Sequence, residues 1–193
     1  MFEYKLYHYN MEDFYDVGFG CSYRNIQTIL SSYKFYYNKS IKIPVITDIL
    51  FNFNKNYQDI IKKKSTKDLW IEPYQIYQYL STKFQINGKN IIYILNDQDV
   101  SKMLKTDINI YLPDNLYNIN NFDKILTLFN QHFEKSKLPI VIDNGFYSYL
   151  IGNIDNKKIT IIDPHQFDDN CFYQKDISYL NNSFWMIFIP ELI

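Results

Sequence analysis

Two parts of the sequence carry residue types that can do chemistry together: a cysteine near residue 20 and an Asp-x-His near residue 165. Cys21 sits in Asp16-Val17-Gly18-Phe19-Gly20-Cys21-Ser22-Tyr23-Arg24-Asn25-Ile26-Gln27. Gly18 and Gly20 flank Phe19, and glycine tolerates the positive φ of a tight turn. Beyond the turn Ile26, Ile29, Leu30 and Tyr33 recur at helical spacing, which predicts a helix over Cys21 to Tyr36. Cys21 then falls in the first helical turn, where free backbone N–H groups and the helix dipole favour an anion such as a thiolate. The same amides can hold the oxyanion of a tetrahedral intermediate. A buried, inert cysteine at a helix start is the plainer reading, and one cysteine alone is a weak signature.

A cysteine nucleophile needs a base within hydrogen-bond reach and a group that orients the base. The chain has three histidines. His132 falls late in an amphipathic pattern beside Phe133 and reads as a surface or helix-end histidine. His8 lies in an aromatic segment near the cysteine, but no carboxylate is placed to orient it. His165 follows Asp163-Pro164 at the end of a predicted strand, Ile159-Thr160-Ile161-Ile162. In an extended chain residues i and i+2 point the same way, and proline biases its predecessor towards extension. Asp163 and His165 are thus presented side by side. Alone, Asp-Pro reads as a turn start; with Cys21 elsewhere, it reads as an oriented base.

The elements that must position these residues form two runs. Phe2, Tyr4, Leu6 and His8 alternate as in a short strand. A second helix is expected after Pro44, with the proline at its first position and Ile46, Ile49, Leu50 and Phe53 as its apolar face. Residues 62–68, rich in lysine, read as loop. Pro73 starts a helical pattern through Ile76, Tyr77, Leu80 and Phe84, closed by an Asn87-Gly88 turn. Ile91 to Leu95 reads as a strand and residues 111–120 as loop. Phe122, Ile125, Leu126, Phe129 and Phe133 mark a helix capped by Asn120 or Asn121. Strands follow over Pro139–Ile142, Phe146–Ile154, Lys158–Ile162 and Phe184–Ile189, with Asp155-Asn156-Lys157 as a hairpin. Helices first and strands second indicate an α+β fold with a largely antiparallel sheet, in one domain over 1–193.

Composition narrows the function classes. The 193 residues are 47% hydrophobic and 21% charged, as in a globular chain. Nineteen Tyr and fifteen Phe suggest an AT-rich coding sequence and say nothing of function. A net charge of −1 gives no nucleic-acid footprint. Two cysteines make no disulfide framework, so a reducing, cytoplasmic compartment is expected. No apolar run reaches the length of a membrane span, and no signal peptide is expected from the first residues. Two Cys and three His at these spacings make no zinc pattern, and no cofactor is implied.

Asp16 to Gln27 resembles the Gly-Trp-Gly-Cys-Gly-Tyr-Arg-x-x-Gln signature of the ubiquitin-fold-modifier-specific proteases. Tyr7-His8-Tyr9 resembles their Tyr-His-Tyr, and Asp163-Pro164-His165 their Asp-Pro-His. Trp70-Ile71 is similar to a Trp-Ile that begins a helix there, and Phe184-Trp185 to Pro190 to their closing strand. The resemblance implies a papain-like cysteine-protease fold with Cys21 as nucleophile, His165 as base and Asp163 orienting the imidazole. It places Tyr9 where the family carries a tyrosine that supports the oxyanion hole. It assigns Trp70, Asn144 and Gly145 to substrate binding, the last two bordering the channel for the substrate's carboxy-terminal glycine. Arg24 and Gln27 match signature positions, with structural roles expected. The implied substrate is a ubiquitin-like modifier, with its conjugates as partners.

Two departures bear on this. Phe19 replaces the usual Trp, losing an indole donor but keeping an aromatic wall, and Asp143-Asn144-Gly145 stands where the family has a glycine-rich run. The autophagin family shares a Gly-Trp-Gly-Cys helix and an Asp-Pro-His, although Tyr23-Arg24-Asn25 fits it less well. A related deubiquitinase branch places its histidine before the Asp strand, and here Gly145 to Gly152 holds none. A non-catalytic modifier-binding module is the alternative of another class, against which the intact Cys, His and Asp set argues.

Overall fold

The computed structural model describes residues 2–93, 116–119, 121–168, 170–182 and 184–192. Within them the helices are α1 (Cys21–Tyr36), α2 (Ile46–Phe53), α3 (Tyr57–Lys62), α4 (Pro73–Phe84) and α5 (Phe122–Lys135). The strands are β1 (Asn87–Tyr93), β2 (Leu116–Ile119), β3 (Ile140–Asp143), β4 (Ser148–Asp155), β5 (Lys158–Ile162), β6 (Phe172–Asp176) and β7 (Trp185–Glu191). They form one sheet in the order β2-β1-β7-β3-β4-β5-β6. Every pairing is antiparallel except β1 with β2. The chain therefore has the expected α+β architecture, helices leading and a largely antiparallel sheet following.

Period-two alternation sends successive strand residues to opposite faces, and here both faces are covered. Val141, Leu150 and Phe188 pack on one side with Ile26, Ile29 and Leu30 of α1 and Ile49 and Leu50 of α2. Ile140, Ile142, Ile151 and Ile187 pack on the other with Ile125 and Phe129 of α5. Burial on both faces explains why β3 and β7 read as continuous apolar runs rather than alternating ones. Helix α1 is enclosed: Cys21 through Tyr33 are all buried, including Arg24, Asn25, Gln27, Thr28, Ser31 and Ser32. A buried polar side chain must find partners. For instance, the Thr28 hydroxyl oxygen accepts the Tyr7 N–H at 2.9 Å.

Several expectations are corrected. Residues 2–15 form no strand; they run irregularly into a 3₁₀ turn at Met11–Asp13. Aromatic side chains are so frequent that alternation there reflects composition. Pro44 does not open α2, whose N-cap is Val45; its carbonyl instead accepts a bond from Gln27. The stretch read as loop over 62–68 contains the end of α3 and a 3₁₀ turn at Thr66–Leu69. Asn87-Gly88 opens β1, and the reversal before it is made by Gln85 in the left-handed region, φ 60°. Residues 116–119, read as loop, are β2, while 111–115 and 120 lie outside the described residues, as do 94 and 95 of the expected 91–95 strand. Asn121 caps α5, accepting the Lys124 N–H. The hairpin turn is Asn156-Lys157, both with positive φ (46° and 64°), the geometry a two-residue link requires.

Candidate active site

The site forms where the start of α1 meets the end of β5. Asp16 makes the turn before α1: its carbonyl accepts the N–H groups of Phe19 (3.2 Å) and Gly20 (2.8 Å). Gly18 has φ +90°, and a Cβ on Gly20 would collide with the Asp16 carboxylate. Both glycines are thus required, one by conformation and one by close approach. The Gly20 carbonyl then accepts the Arg24 N–H at 2.9 Å, and Cys21 begins the helix, 8% exposed. Phe19 belongs to the buried core.

Across from it, β5 ends at Ile162 and the chain turns through Asp163-Pro164-His165. The Asp163 N–H is held by the Cys171 carbonyl at 2.7 Å. Asp163 Oδ1 accepts from the His165 backbone N–H at 3.0 Å and from its ring Nδ1 at 2.6 Å. An ionised carboxylate only accepts, so Nδ1 carries the hydrogen and the other ring nitrogen is left for Cys21, whose proximity helps to raise the imidazole. Three rings box His165 in, with centroids at 5.1 Å (Tyr9), 5.2 Å (Tyr147) and 5.3 Å (Tyr149).

The electrostatics follow from these contacts. Burial alone would lower the His165 pKa. The Asp163 hydrogen bond and then the bond to and charge on Cys21 outweigh it, raising the value to about 9. Burial would raise Asp163, but the side-chain and backbone N–H of His165 hold it below the ordinary carboxylate range. Tyr9 is pushed up by burial first, then by the charge on and hydrogen bond to Cys21; the Gly18 N–H donating to its oxygen opposes this. Tyr9 therefore keeps its proton and can donate it in a hydrogen bond. Its backbone N–H is bonded to the Pro164 carbonyl at 2.9 Å, which stitches the segment before α1 to the loop after β5.

Such an arrangement can pass a proton from thiol to imidazole, and it offers a phenol and helix-start amides beside the sulfur. Cys21, His165, Asp163 and Tyr9 are all brought together. The Trp70 indole N–H donates to the Gly18 carbonyl at 2.8 Å, and the ring is 44% exposed, so Trp70 borders the nucleophile turn. Asn144 and Gly145 form the β3–β4 turn. Asn144 Oδ1 accepts the Phe146 and Tyr147 N–H groups at 3.0 and 2.9 Å, and the Gly145 N–H donates to Asp143 at 2.7 Å. The turn reaches His165 through the Tyr147 ring. Asp143 is buried, which pushes its pKa up to about 7 against the bonds from Gly145 and Ser148. Asn25 of α1 donates to the Ser148 hydroxyl at 3.1 Å, tying this turn to the nucleophile helix.

The other histidines lie elsewhere. His132 is buried rather than on the surface; its ring bonds the Leu138 carbonyl at 2.7 Å, fastening α5 to the segment before β3. His8 Nδ1 meets the Tyr9 carbonyl at 2.8 Å. Sequence reasoning did not single out Tyr147 or Tyr149, which pack on His165, or Tyr173, whose hydroxyl the Asp163 charge helps to push up. In a chain with nineteen tyrosines the type carries no signal. The i, i+2 spacing of Tyr147 and Tyr149 at the start of a strand was the available clue. Among the described residues no group of three His, Cys, Asp or Glu side chains is gathered that could hold a metal ion.

The family model of peptidase family C78 matches residues 1–179. The chain belongs to peptidase family C78. A relative from Oryza sativa subsp. japonica, described as a probable Ufm1-specific protease, is 22% identical over 213 residues, covering 97% of this chain and 29% of that protein. The crystal structure of UfSP from C. elegans superimposes with a TM-score of 0.65 at 18% identity, covering 98% of this chain and 33% of that one. This family member therefore spans about a third of the length of each, and the superposition establishes the shared papain-like fold. No described helix is long and apolar enough to cross a membrane.

Proposed function

We propose that this C78 family member is a thiol protease and isopeptidase that cleaves after the carboxy-terminal glycine of a ubiquitin-like modifier, the ubiquitin-fold modifier, in precursors and conjugates. The observation that carries the reading is His165 held between Asp163 and Cys21 at the start of α1. Family membership and the protease relative support it. In this mechanism His165 takes the Cys21 proton and the sulfur attacks the glycyl carbonyl. The Cys21 N–H and Tyr9 hydroxyl receive the developing oxyanion. As the tetrahedral intermediate collapses, His165 protonates the departing amine, and water, deprotonated by the same imidazole, releases the acyl-enzyme. Trp70 and the Asn144-Gly145 turn flank the channel for the modifier's tail. A reducing, cytoplasmic setting suits a thiol nucleophile in a chain whose two cysteines form no disulfide.

The test is a panel of modifiers carrying a thiol-reactive carboxy-terminal group, built on the ubiquitin-fold modifier, ubiquitin and the autophagy modifier. The first should label Cys21; Cys21→Ala should abolish labelling and cleavage, and Cys171→Ala should leave both intact. Preferential labelling by ubiquitin or the autophagy modifier would reassign the substrate. Labelling that survives Cys21→Ala would overturn the nucleophile.

A further inference from the structure

Arg24 lies one turn along α1 from Cys21 and is completely buried. Its Nε donates to Asp16 Oδ2 at 2.8 Å, and its Nη1 to Glu12 Oε2 at 3.1 Å and Gln27 Oε1 at 3.0 Å. Its Nη2 donates to the Met11 carbonyl at 2.8 Å. Glu12 also accepts from Gln27 Nε2, at 3.0 and 3.1 Å, and from the Ile46 N–H at the start of α2, at 2.9 Å. Asp16 Oδ1 accepts the Asn10 N–H at 2.8 Å. One buried cation thus gathers the 10–16 segment onto α1. The segment needs such holding: Asn10, Glu12 and Asp13 all have positive φ (62°, 62° and 52°), which non-glycine residues keep only when their surroundings over-determine it.

Tyr9 directly precedes this segment. On one side its N–H is clamped by Pro164; on the other, Asn10 is clamped through Asp16 to Arg24. We infer that Glu12 and Arg24 are positioning residues for the reaction: through the 10–16 segment they fix the Tyr9 hydroxyl relative to Cys21, so that nucleophile and oxyanion donor ride on one rigid unit. The inference rests on the role given to Tyr9 in the mechanism above. It differs from a role in stability alone because it predicts that the effect of loosening the hub passes through one phenol.

Glu12 is the member to change. Its side chain is 24% exposed, whereas removing Arg24 would leave buried Asp16 facing Glu12 without a cation. In Glu12→Ala, amide hydrogen exchange at Tyr9 and Asn10 should accelerate about tenfold or more while β7 amides keep their protection. Turnover should fall about tenfold with KM within about twofold, and in a Tyr9→Phe background the same change should alter kcat by less than about twofold. Should Glu12→Ala not fold, Glu12→Gln is carried through the same cycle. Unchanged exchange at Tyr9, unchanged turnover, or equal losses in both backgrounds would overturn the inference. A folded wild-type protein that cleaves no modifier overturns the proposed function instead, and the exchange measurement then reads the hub by itself.

Discussion

Helix α1 anchors two charged clusters three residues apart, and they are built on opposite plans. Around Arg24 the guanidinium bonds reach two carboxylates, an amide and a carbonyl, and Asp16 and Glu12 accept further backbone N–H groups. Around Cys21 the imidazole is held firmly by Asp163 on one nitrogen and faces a sulfur on the other, in an aromatic box whose Tyr147 wall is half exposed. A densely bonded network confers rigidity. A cluster with one mobile proton and an open side has chemistry left to do. In the proposed function the same buried helix supplies both a fixed frame and the reactive centre.

The contrast breaks most visibly under the two largest truncations. His165→Ala should lower turnover by about 10⁴-fold or more and leave the melting temperature nearly unchanged. Arg24→Ala should do the reverse to the fold, costing about 3–5 kcal/mol because buried carboxylates lose their cation. Steady-state kinetics and thermal melts on both variants check this, and a stable Arg24→Ala with an unfolded His165→Ala would invert the division.

A smaller effect sharpens it. His165 is raised above its ordinary value, so its cation persists until pH climbs through about 9. The kcat/KM profile should therefore have its basic limb near 9. Asp163 is the largest raising influence, so Asp163→Asn should pull that limb towards the ordinary histidine range as well as slowing the reaction severely. A limb that stays near pH 9 in Asp163→Asn would mean that another group titrates there. The least of the three is Tyr9→Phe, which removes one donor oxygen. It should lower kcat by about a hundredfold or more, about 2.7–4 kcal/mol, with KM and melting temperature barely moved. A wild-type kcat in that variant would take the phenol out of the reaction.

Local signals were legible in sequence where local physics decides. The α1 boundaries, Cys21 to Tyr36, follow from a glycine turn and a regular apolar period, and β5 from a short Ile-rich run ending at Asp-Pro. The pairing of Asp163 with His165 was expected from an extended chain, but a turn makes it: the Gln166 N–H closes on the Asp163 carbonyl and the Asp163 side chain accepts the His165 N–H. What stayed hidden depends on distant partners. β6, Phe-Tyr-Gln-Lys-Asp, is an edge strand with no apolar stripe, formed by pairing with β5. Arg24 and Gln27 have the structural roles expected of them, but their partners Glu12, Met11 and Pro44 lie in segments that the helical pattern does not reach. His132, read as a surface or helix-end histidine, does stand in the last turn of α5 but is buried, because nothing within α5 announces the Leu138 carbonyl that receives its ring.

The position of β7 carries a last consequence, for the order in which the molecule comes together. It sits between β1 and β3, pairing with both, yet it follows in sequence every other strand of the sheet. A nascent chain therefore holds β1 and the β3–β6 hairpins as separate pieces with no shared sheet until β7 leaves the ribosome and slots between them. Such non-local closure is slow compared with hairpin formation. The loop bearing His165 and the β4 strand on which α1 packs lie on one side of that seam, and β1 with β2 on the other, so the β1–β2 edge should join the half that carries the thiol and its base late. An emerging chain would carry its cysteine long before it could use it.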